Sequence, residues 1–435
     1  MSAELATIIL FGGLLVLLAL GVRIFVALGV ISIIVCILID GFGRLGLVGI
    51  TTYRIITNDA FIAIPLFVLM GNLLVHSGIA DRLFTALSYW LSRVRGGLAV
   101  VSMVVCVILA MCSGFTPGLV TMGLVAVPAM LKRGYSKSLS LGSVMAGGIL
   151  GDIIPPSLMM IIMASIIREV SIGKLFAGGL IPGFTCAGLY IVYILVRSHF
   201  QPSYGGPPPD EKVTWRIRWI SLREVIVPVL LIVLILGSIF SGIATPSHAA
   251  GVGAFGALLC CIGYGKFSWK VISSSCMETF KVVGMVMVIL VTATLFGNVY
   301  ATAGAQGMLE SMIKGMEINR WFIIIGMQVI LLIFGMFMDD FAIIIICAPI
   351  FMSIAISLGF DPTWFAIVFI LNMQVAYMTP PFGWCLIMMK GIAPPEVTTG
   401  DIWRSVPPFV GMQLLVLVLT IAFPALALWL PGKMT

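Results

Sequence analysis

Long apolar runs broken by single charges set the rhythm of this chain. No Asp, Glu, Lys or Arg falls between Glu4 and Arg23, Asp59 and Asp81, Lys174 and Arg197, Arg320 and Asp339, or Asp340 and Asp361. Longer uncharged runs lie between Arg95 and Lys132, Glu224 and Lys266, Lys281 and Glu310, Asp361 and Lys390, and Arg404 and Lys433. One transmembrane helix needs roughly 20 apolar residues. Each shorter run therefore has room for one span, and the longest for two, or for one span plus a hairpin entering partway. The pattern predicts an all-α polytopic membrane protein with roughly ten to twelve crossings and two re-entrant pieces.

The landmarks of the first half recur in the second. Gly71-Asn72 returns as Gly297-Asn298 and Gly78 as Gly304, both at an offset of 226 (297 − 71, 304 − 78). Gly134-Tyr135 returns as Gly359-Phe360, Pro155-Pro156 as Pro380-Pro381 and Pro182 as Pro407, all at an offset of 225 (359 − 134, 380 − 155, 407 − 182). A repeat of this kind divides the chain into a first unit (1–196), a polar linker (197–224) and a second unit (225–435). The linker carries Gly205-Gly206-Pro207-Pro208-Pro209, Asp210, Glu211, Lys212, Arg216, Arg218 and Arg223, with a short interfacial helix expected around Trp215 and Trp219. Its arginines place it on the cytoplasmic side. If each unit crosses an odd number of times, the two are inverted, a plan common among secondary transporters.

Composition narrows the class. Of 435 residues, 61% are hydrophobic and 9% charged, whereas soluble domains run near about 45–50% apolar and about 25% charged. Lipid is the solvent such a surface needs. The net charge of +7 sits in loops and reads as positive-inside topology rather than nucleic-acid binding. Met1 to Leu38 carries Glu4, no basic cluster and two apolar runs, so it is expected to stay as membrane spans. The nine cysteines are scattered without a CxxC pair and histidine is scarce, so no disulfide, transition-metal site or cofactor is expected.

Breaks in apolar runs are where chemistry can sit, because unpaired backbone at membrane depth survives only where protein or a cavity covers it. Four stand out. Ser113-Gly114-Phe115-Thr116-Pro117-Gly118 interrupts the run 96–131, and its freed carbonyls, with the hydroxyls of Ser113, Thr116 and Thr121, are hard oxygen ligands for an alkali cation. Gly151-Asp152-Ile153-Ile154-Pro155-Pro156-Ser157 ends one half-helix and starts another. The second half-helix begins near Ser157 and would aim its positive dipole end at a carboxylate. Asp152 costs about 2.5–3.5 kcal/mol if unpaired at the bilayer centre. Tyr377-Met378-Thr379-Pro380-Pro381-Phe382-Gly383 is the repeat partner of that break. Gly335-Met336-Phe337-Met338-Asp339-Asp340-Phe341 sets two adjacent carboxylates between uncharged runs; one can take a cation while the other caps a helix. Asn72 and Asn298 are buried amides that either pin helices or meet a solute.

These stretches resemble the large membrane subunit of the tripartite ATP-independent periplasmic (TRAP) transporters. The resemblance is carried by Val127-Pro128-Ala129-Met130-Leu131-Lys132-Arg133-Gly134-Tyr135, by Ile153-Ile154-Pro155-Pro156-Ser157, and by the stretch from Ser171 through Phe176-Ala177-Gly178-Gly179 to Pro182-Gly183. Phe337-Met338-Asp339, Leu358-Gly359-Phe360-Asp361-Pro362, Thr379-Pro380-Pro381-Phe382-Gly383 and Ala244-Thr245-Pro246-Ser247 extend it through the second half. The resemblance implies an elevator, in which two re-entrant hairpins and two broken helices (about 96–183 and 321–408) carry solute past a scaffold. It further implies sodium coupling, a separate small four-helix membrane subunit, a periplasmic substrate-binding protein and a bacterial inner-membrane location. Many members carry Ser-Gly-Ser followed by Ala-Asp in the first hairpin, and this chain has Ser113-Gly114-Phe115-Thr116-Pro117 with no acid nearby. Asp339 matches the family's acidic position and Asp340 is an addition.

The resulting expectation is a non-enzymatic sodium symporter for a small carboxylate. Ser113, Gly114, Thr116, Asp339, Asp340 and Thr379 are the sodium candidates. Ser157, Pro155, Asp152, Thr121, Asn298, Pro380 and Gly383 are the solute candidates. The alternative is a stand-alone sodium/dicarboxylate symporter of the same inverted plan that needs no binding protein. A membrane-embedded enzyme would need a nucleophile–base pair or a metal cluster at depth, and the sequence offers neither.

Overall fold

The computed structural model describes residues 2–91, 93–167, 169–207, 214–304, 307, 318–338, 340–381 and 383–434. Asp339, Phe382 and the linker residues 208–213 lie outside the described residues. The first half runs through α1 (Ala3–Ala19), α2 (Ile24–Asp40), α3 (Gly46–Ile56), α4 (Ala63–His76), α5 (Ile79–Leu91), α6 (Gly97–Ser113), α7 (Phe115–Lys132), α8 (Lys137–Ile149), α9 (Leu158–Ile166), α10 (Ile172–Phe200) and the short α11 (Pro202–Gly205). The second half follows with α12 (Trp215–Phe240), α13 (Pro246–Gly263), α14 (Trp269–Thr302), α15 (Arg320–Phe337), α16 (Asp340–Ser357), α17 (Pro362–Met378), α18 (Trp384–Ile392), α19 (Thr399–Ser405) and α20 (Pro407–Ala422). No strand occurs among the described residues; only an isolated bridge joins Tyr135 to Gly205.

Among the described residues, seven helices are long and apolar enough to cross a membrane. The pair α4–α5, bent by 65° at Ser77-Gly78, makes an eighth. Shorter apolar helices, α1, α2, α6, α7 and α17 among them, supply the rest. The chain is thus a multi-span helical membrane protein. Outward faces are apolar: Leu230, Val233 and Leu234 on α12 are all more than half exposed, as lipid-facing side chains must be.

Hydrogen bonds fix the topology. The amide of Gly96 donates to the Gly205 carbonyl at 3.3 Å and that of Ser136 to the Tyr204 carbonyl at 3.1 Å. Both feet of the α6/α7 hairpin therefore stand beside the linker, and its tip at Ser113-Gly114 points inward. Each arm, at 1.5 Å per residue, is about 25–27 Å long, a little short of the roughly 30 Å hydrocarbon core. Next, α8 and α9 run from the linker face to the opposite face, and α10 returns. In the second half, Lys137 Nζ at the start of α8 donates to the Glu396 carbonyl at 2.6 Å and to Asp401 Oδ2 at 3.0 Å. The end of α18 and start of α19 thus meet the start of α8, so α17–α18 runs antiparallel to α8–α9. The hairpin arms α7 and α16 begin and end 225 residues apart (340 − 115, 357 − 132). Ala3 stands near Gly304, and Phe11 packs edge-on against Phe296 and Tyr300, so the N-terminus lies on the face opposite the linker.

Local sequence explains the helix starts. Ser136, Ser157, Ser171, Thr245, Ser268, Asp361 and Thr398 each accept a first-turn amide through the side chain, satisfying donors that a helix leaves orphaned. The polar segment is shorter than its composition suggests. Trp215 and Trp219 do not form a separate interfacial helix but open the 26-residue α12, because the apolar run that follows Glu224 continues the same helix. Their rings lie edge-on to Trp90 at 6.3 and 5.7 Å.

At the centre, α17 is buried from Thr363 to Met378 and α8 from Leu139 to Ile149. These two broken helices are the core around which the hairpins pack.

Candidate functional site

Both hairpin tips and both helix breaks converge on one cavity of about 270 Å³. Gly114, Thr116 and Pro117 come from the first tip, Asp340 and Phe341 from the second. Asp152, Leu158 and Met159 come from the break between α8 and α9, and Trp384 begins α18. Val68 and Asn72 of α4, with Val282 and Met285 of α14, close the far wall.

The first tip turns on Gly114, whose φ of 82° and ψ of 168° fall in a region open to glycine almost alone. Pro117 then sits in the first turn of α7, where an amide has no helical partner to lose. The tip is held down by close backbone approach. A Cβ at Gly118 would stand 2.8 Å from the Ala110 amide nitrogen, and one at Gly151 would stand 2.7 Å from the Ala110 carbonyl carbon. Both arms and the break in α8–α9 thus meet at one small residue of α6.

In the second break, a 3₁₀ turn over Leu150–Asp152 gives way to a bent, non-helical stretch that becomes extended at Ser157, just before α9. Ser157 Oγ donates to the Asp152 carbonyl at 2.6 Å and accepts the Met160 amide at 3.3 Å. Its hydroxyl is therefore engaged in capping. Leu158 and Met159 line the cavity, so the positive end of α9 faces it. Asp152 is 3% exposed, and its Oδ2 has no hydrogen-bond partner among the described residues. Buried carboxylate oxygens without donors are rare because desolvation goes uncompensated. Asp340, on the opposite tip, is also buried. No Lys, Arg or His is among the described lining residues, and both Asp152 and Asp340 line the space.

The remaining candidates take different places. Ser113 ends α6 at the tip, and Asp339 lies outside the described residues, flanked by Met338 and Asp340. Thr121 lies further along α7. Thr379 Oγ1 donates to the Val375 carbonyl at 2.7 Å, and Gly383 fits where a Cβ would stand 2.9 Å from the Thr379 carbonyl oxygen. Thr379, Pro380 and Gly383 thus shape the turn that delivers Trp384, while Pro155 and Ser157 shape the turn that delivers Leu158. The two Gly-Asn motifs are separated: Asn72 lines the tip cavity, and Asn298 lines a second one. Each makes the same bond across the halves, Asn72 Nδ2 to Thr279 Oγ1 at 3.0 Å and Asn298 Nδ2 to Thr51 Oγ1 at 3.1 Å.

One polar network was not anticipated from sequence. Tyr190 OH donates to Gln413 Oε1 at 3.1 Å, Gln413 Nε2 to Gln374 Oε1 at 2.7 Å, and Gln374 Nε2 to the Ile149 carbonyl at 2.7 Å. It ties α10 and α20 to α17 and satisfies the carbonyl left open where α8 ends. Lone amides in apolar runs gave no local signal of it.

Antiparallel broken helices around a buried acidic cavity, inside a bundle of apolar spans, define a membrane permease. Residues 11–426 match the family model described as "Tripartite ATP-independent periplasmic transporter, DctM component". The chain belongs to this family, and with it sits in the bacterial inner membrane as a multi-span protein. It is 32% identical over 373 residues to the C4-dicarboxylate TRAP transporter large permease protein DctM of Pseudomonas aeruginosa, covering 85% of this chain and 86% of that one. It is 29% identical to the protein of the same description from Rhodobacter capsulatus, over 98% and 99% of the two chains. The crystal structure of the Alcanivorax borkumensis YdaH transporter superposes with a TM-score of 0.63 at 16% identity, covering 94% of this chain and 98% of that one, a likeness of fold.

Proposed function

We propose that this chain is the large transmembrane subunit of a sodium-coupled importer for a small carboxylate, working as an elevator. The cavity shared by the hairpin tips and helix breaks carries the reading. Its acids, Asp152 and Asp340, suit sodium, together with carbonyls of the Gly114 turn and Thr116. The positive ends of α9 and α18 suit the solute's carboxylate once sodium has neutralised the acids. At about 270 Å³ the space is smaller than the roughly 300–1,000 Å³ of drug-sized pockets, which favours a small acid. The relatives' description as C4-dicarboxylate permeases points the same way.

The moving body is α6–α9 with α15–α18, and α4, α13 and α14 belong to the scaffold it slides against. The tip cavity lies on that boundary, with walls from both. The family's tripartite, periplasmic description supports two partners: a separate small four-helix membrane subunit and a periplasmic substrate-binding protein. With the Arg-bearing linker in the cytoplasm, solute enters from the face opposite it. An inside-negative potential adds about 2.3 kcal/mol per net positive charge per 100 mV.

The test is succinate uptake into proteoliposomes holding both membrane subunits. Uptake should require an inward sodium gradient and added binding protein. Uptake that ignores sodium would overturn the coupling. Robust uptake without the binding protein would favour a stand-alone symporter.

A further inference from the structure

A second cavity, of about 440 Å³, lies between the scaffold and the moving body. Thr51 and Arg54 of α3, Asn58, and Thr294 and Asn298 of α14 form the scaffold side, and Ser165 of α9 faces them. Its position follows from the helix directions. Ser165 is one residue from the end of α9, and Asn298 is near the end of α14. Both helices finish on the face opposite the linker.

This cavity and the tip cavity are framed alike, each by an inter-half Asn–Thr bond, Asn298 to Thr51 here and Asn72 to Thr279 there. What stands one turn beyond the threonine differs. Beyond Thr279 it is Val282, and beyond Thr51 it is Arg54. The tip cavity is therefore lined by acids and, among its described lining residues, by no cation, while this one has an arginine and, among its described lining residues, no acid. Arg54 is exposed in the space, and amides and hydroxyls stand around it to receive the remaining oxygens of an anion.

We propose that the Arg54 cavity is a second solute subsite, which holds the carboxylate of the arriving acid on the outer side before it passes to the tips. A planar guanidinium takes a carboxylate through two parallel N–H donors. Arg54 holds the acid without sodium. Arg54 is a binding residue of the entry step, and the sodium site is untouched by its loss. The inference rests on the reading of this chain as an importer of acids, and its test is chosen to stand apart from uptake.

Ser165→Cys is introduced together with Cys276→Ser, which removes the one exposed native cysteine among the described residues. The purified protein is treated with an anionic or a cationic methanethiosulfonate. The anionic reagent should react faster by roughly tenfold or more, the range that focused surface charge produces. Arg54→Gln should erase that preference and Arg54→Lys should keep much of it. Succinate should slow the reaction equally in sodium and in choline. In proteoliposomes Arg54→Gln should raise KM for succinate with kcat and half-maximal sodium unchanged. An anionic preference that survives Arg54→Gln would overturn the proposal. So would protection by phosphatidylglycerol but not by succinate in phosphatidylcholine, which would make this a lipid-headgroup site. Loss of uptake with intact succinate protection would refute the transport reading alone.

Discussion

Asp152→Asn separates a cation ligand from a structural acid. The side chain is 3% exposed with one carboxylate oxygen unpartnered, and an ionised group near the bilayer centre costs about 2.5–3.5 kcal/mol. Removing the charge relieves that cost, so without sodium the variant should be as stable as the wild type or more so. Sodium stabilises by RT ln(1 + [Na]/Kd), about 2.7 kcal/mol at a hundredfold excess over Kd. For a domain of 150–250 residues 1 kcal/mol moves the melting temperature by about 2–4 °C, and a chain of this length moves by no more. Wild type should therefore rise by several degrees between choline chloride and saturating sodium chloride at equal ionic strength. Asp152→Asn should start no lower and rise much less. The assay is intrinsic-fluorescence melting in detergent with uptake measured in parallel. A full sodium-dependent shift in Asp152→Asn would remove this acid from the site. A lower melting temperature in choline would contradict the claim that its charge is uncompensated.

Other perturbations separate the scaffolding from the site. Ser157→Ala removes a cap and should cost about 1 kcal/mol, lowering the melting temperature while leaving half-maximal sodium unchanged; a shifted sodium curve would make Ser157 a ligand. Gly151→Ala forces a Cβ into Ala110 and should cost about 1–3 kcal/mol by overpacking, whereas Gly411→Ala, with nothing within 4 Å, should be neutral; equal melting temperatures would refute the close approach. Gln374→Leu leaves the Ile149 carbonyl and the Gln413 amide buried and unpaired, a loss of about 1–3 kcal/mol. Adding Gln413→Leu should cost less than the sum of the two single changes, and strict additivity would mean the network is not one unit.

The breaks were legible because they are made of Gly and Pro, residues whose backbone limits are independent of tertiary context, and because they recur at nearly one offset. Asp152 and Asp340 could be read as candidates since an acid between uncharged runs is costly where it lands at membrane depth, though not at an interface. The partition of the candidates was not legible. Asn72 and Asn298 share a motif and a bonding pattern, yet only the packing of α4 and α14 places one at the tips and the other beside Arg54. Ser157 and Thr379 carry the hydroxyls expected of ligands, and the turn geometry engages both with nearby backbone. Gln374 and Gln413 are 39 residues apart and meet only because α17 and α20 are neighbours. Arg54 belongs to none of the motifs read from the sequence, and only the fold shows the cavity it occupies.

The most direct measurement is equilibrium binding of radiolabelled sodium to the purified protein, for the wild type and for Asp152→Asn combined with Asp340→Asn. The account predicts saturable binding in the wild type that is lost in the double variant, with both proteins folded by circular dichroism. Undiminished saturable binding in the double variant would contradict it.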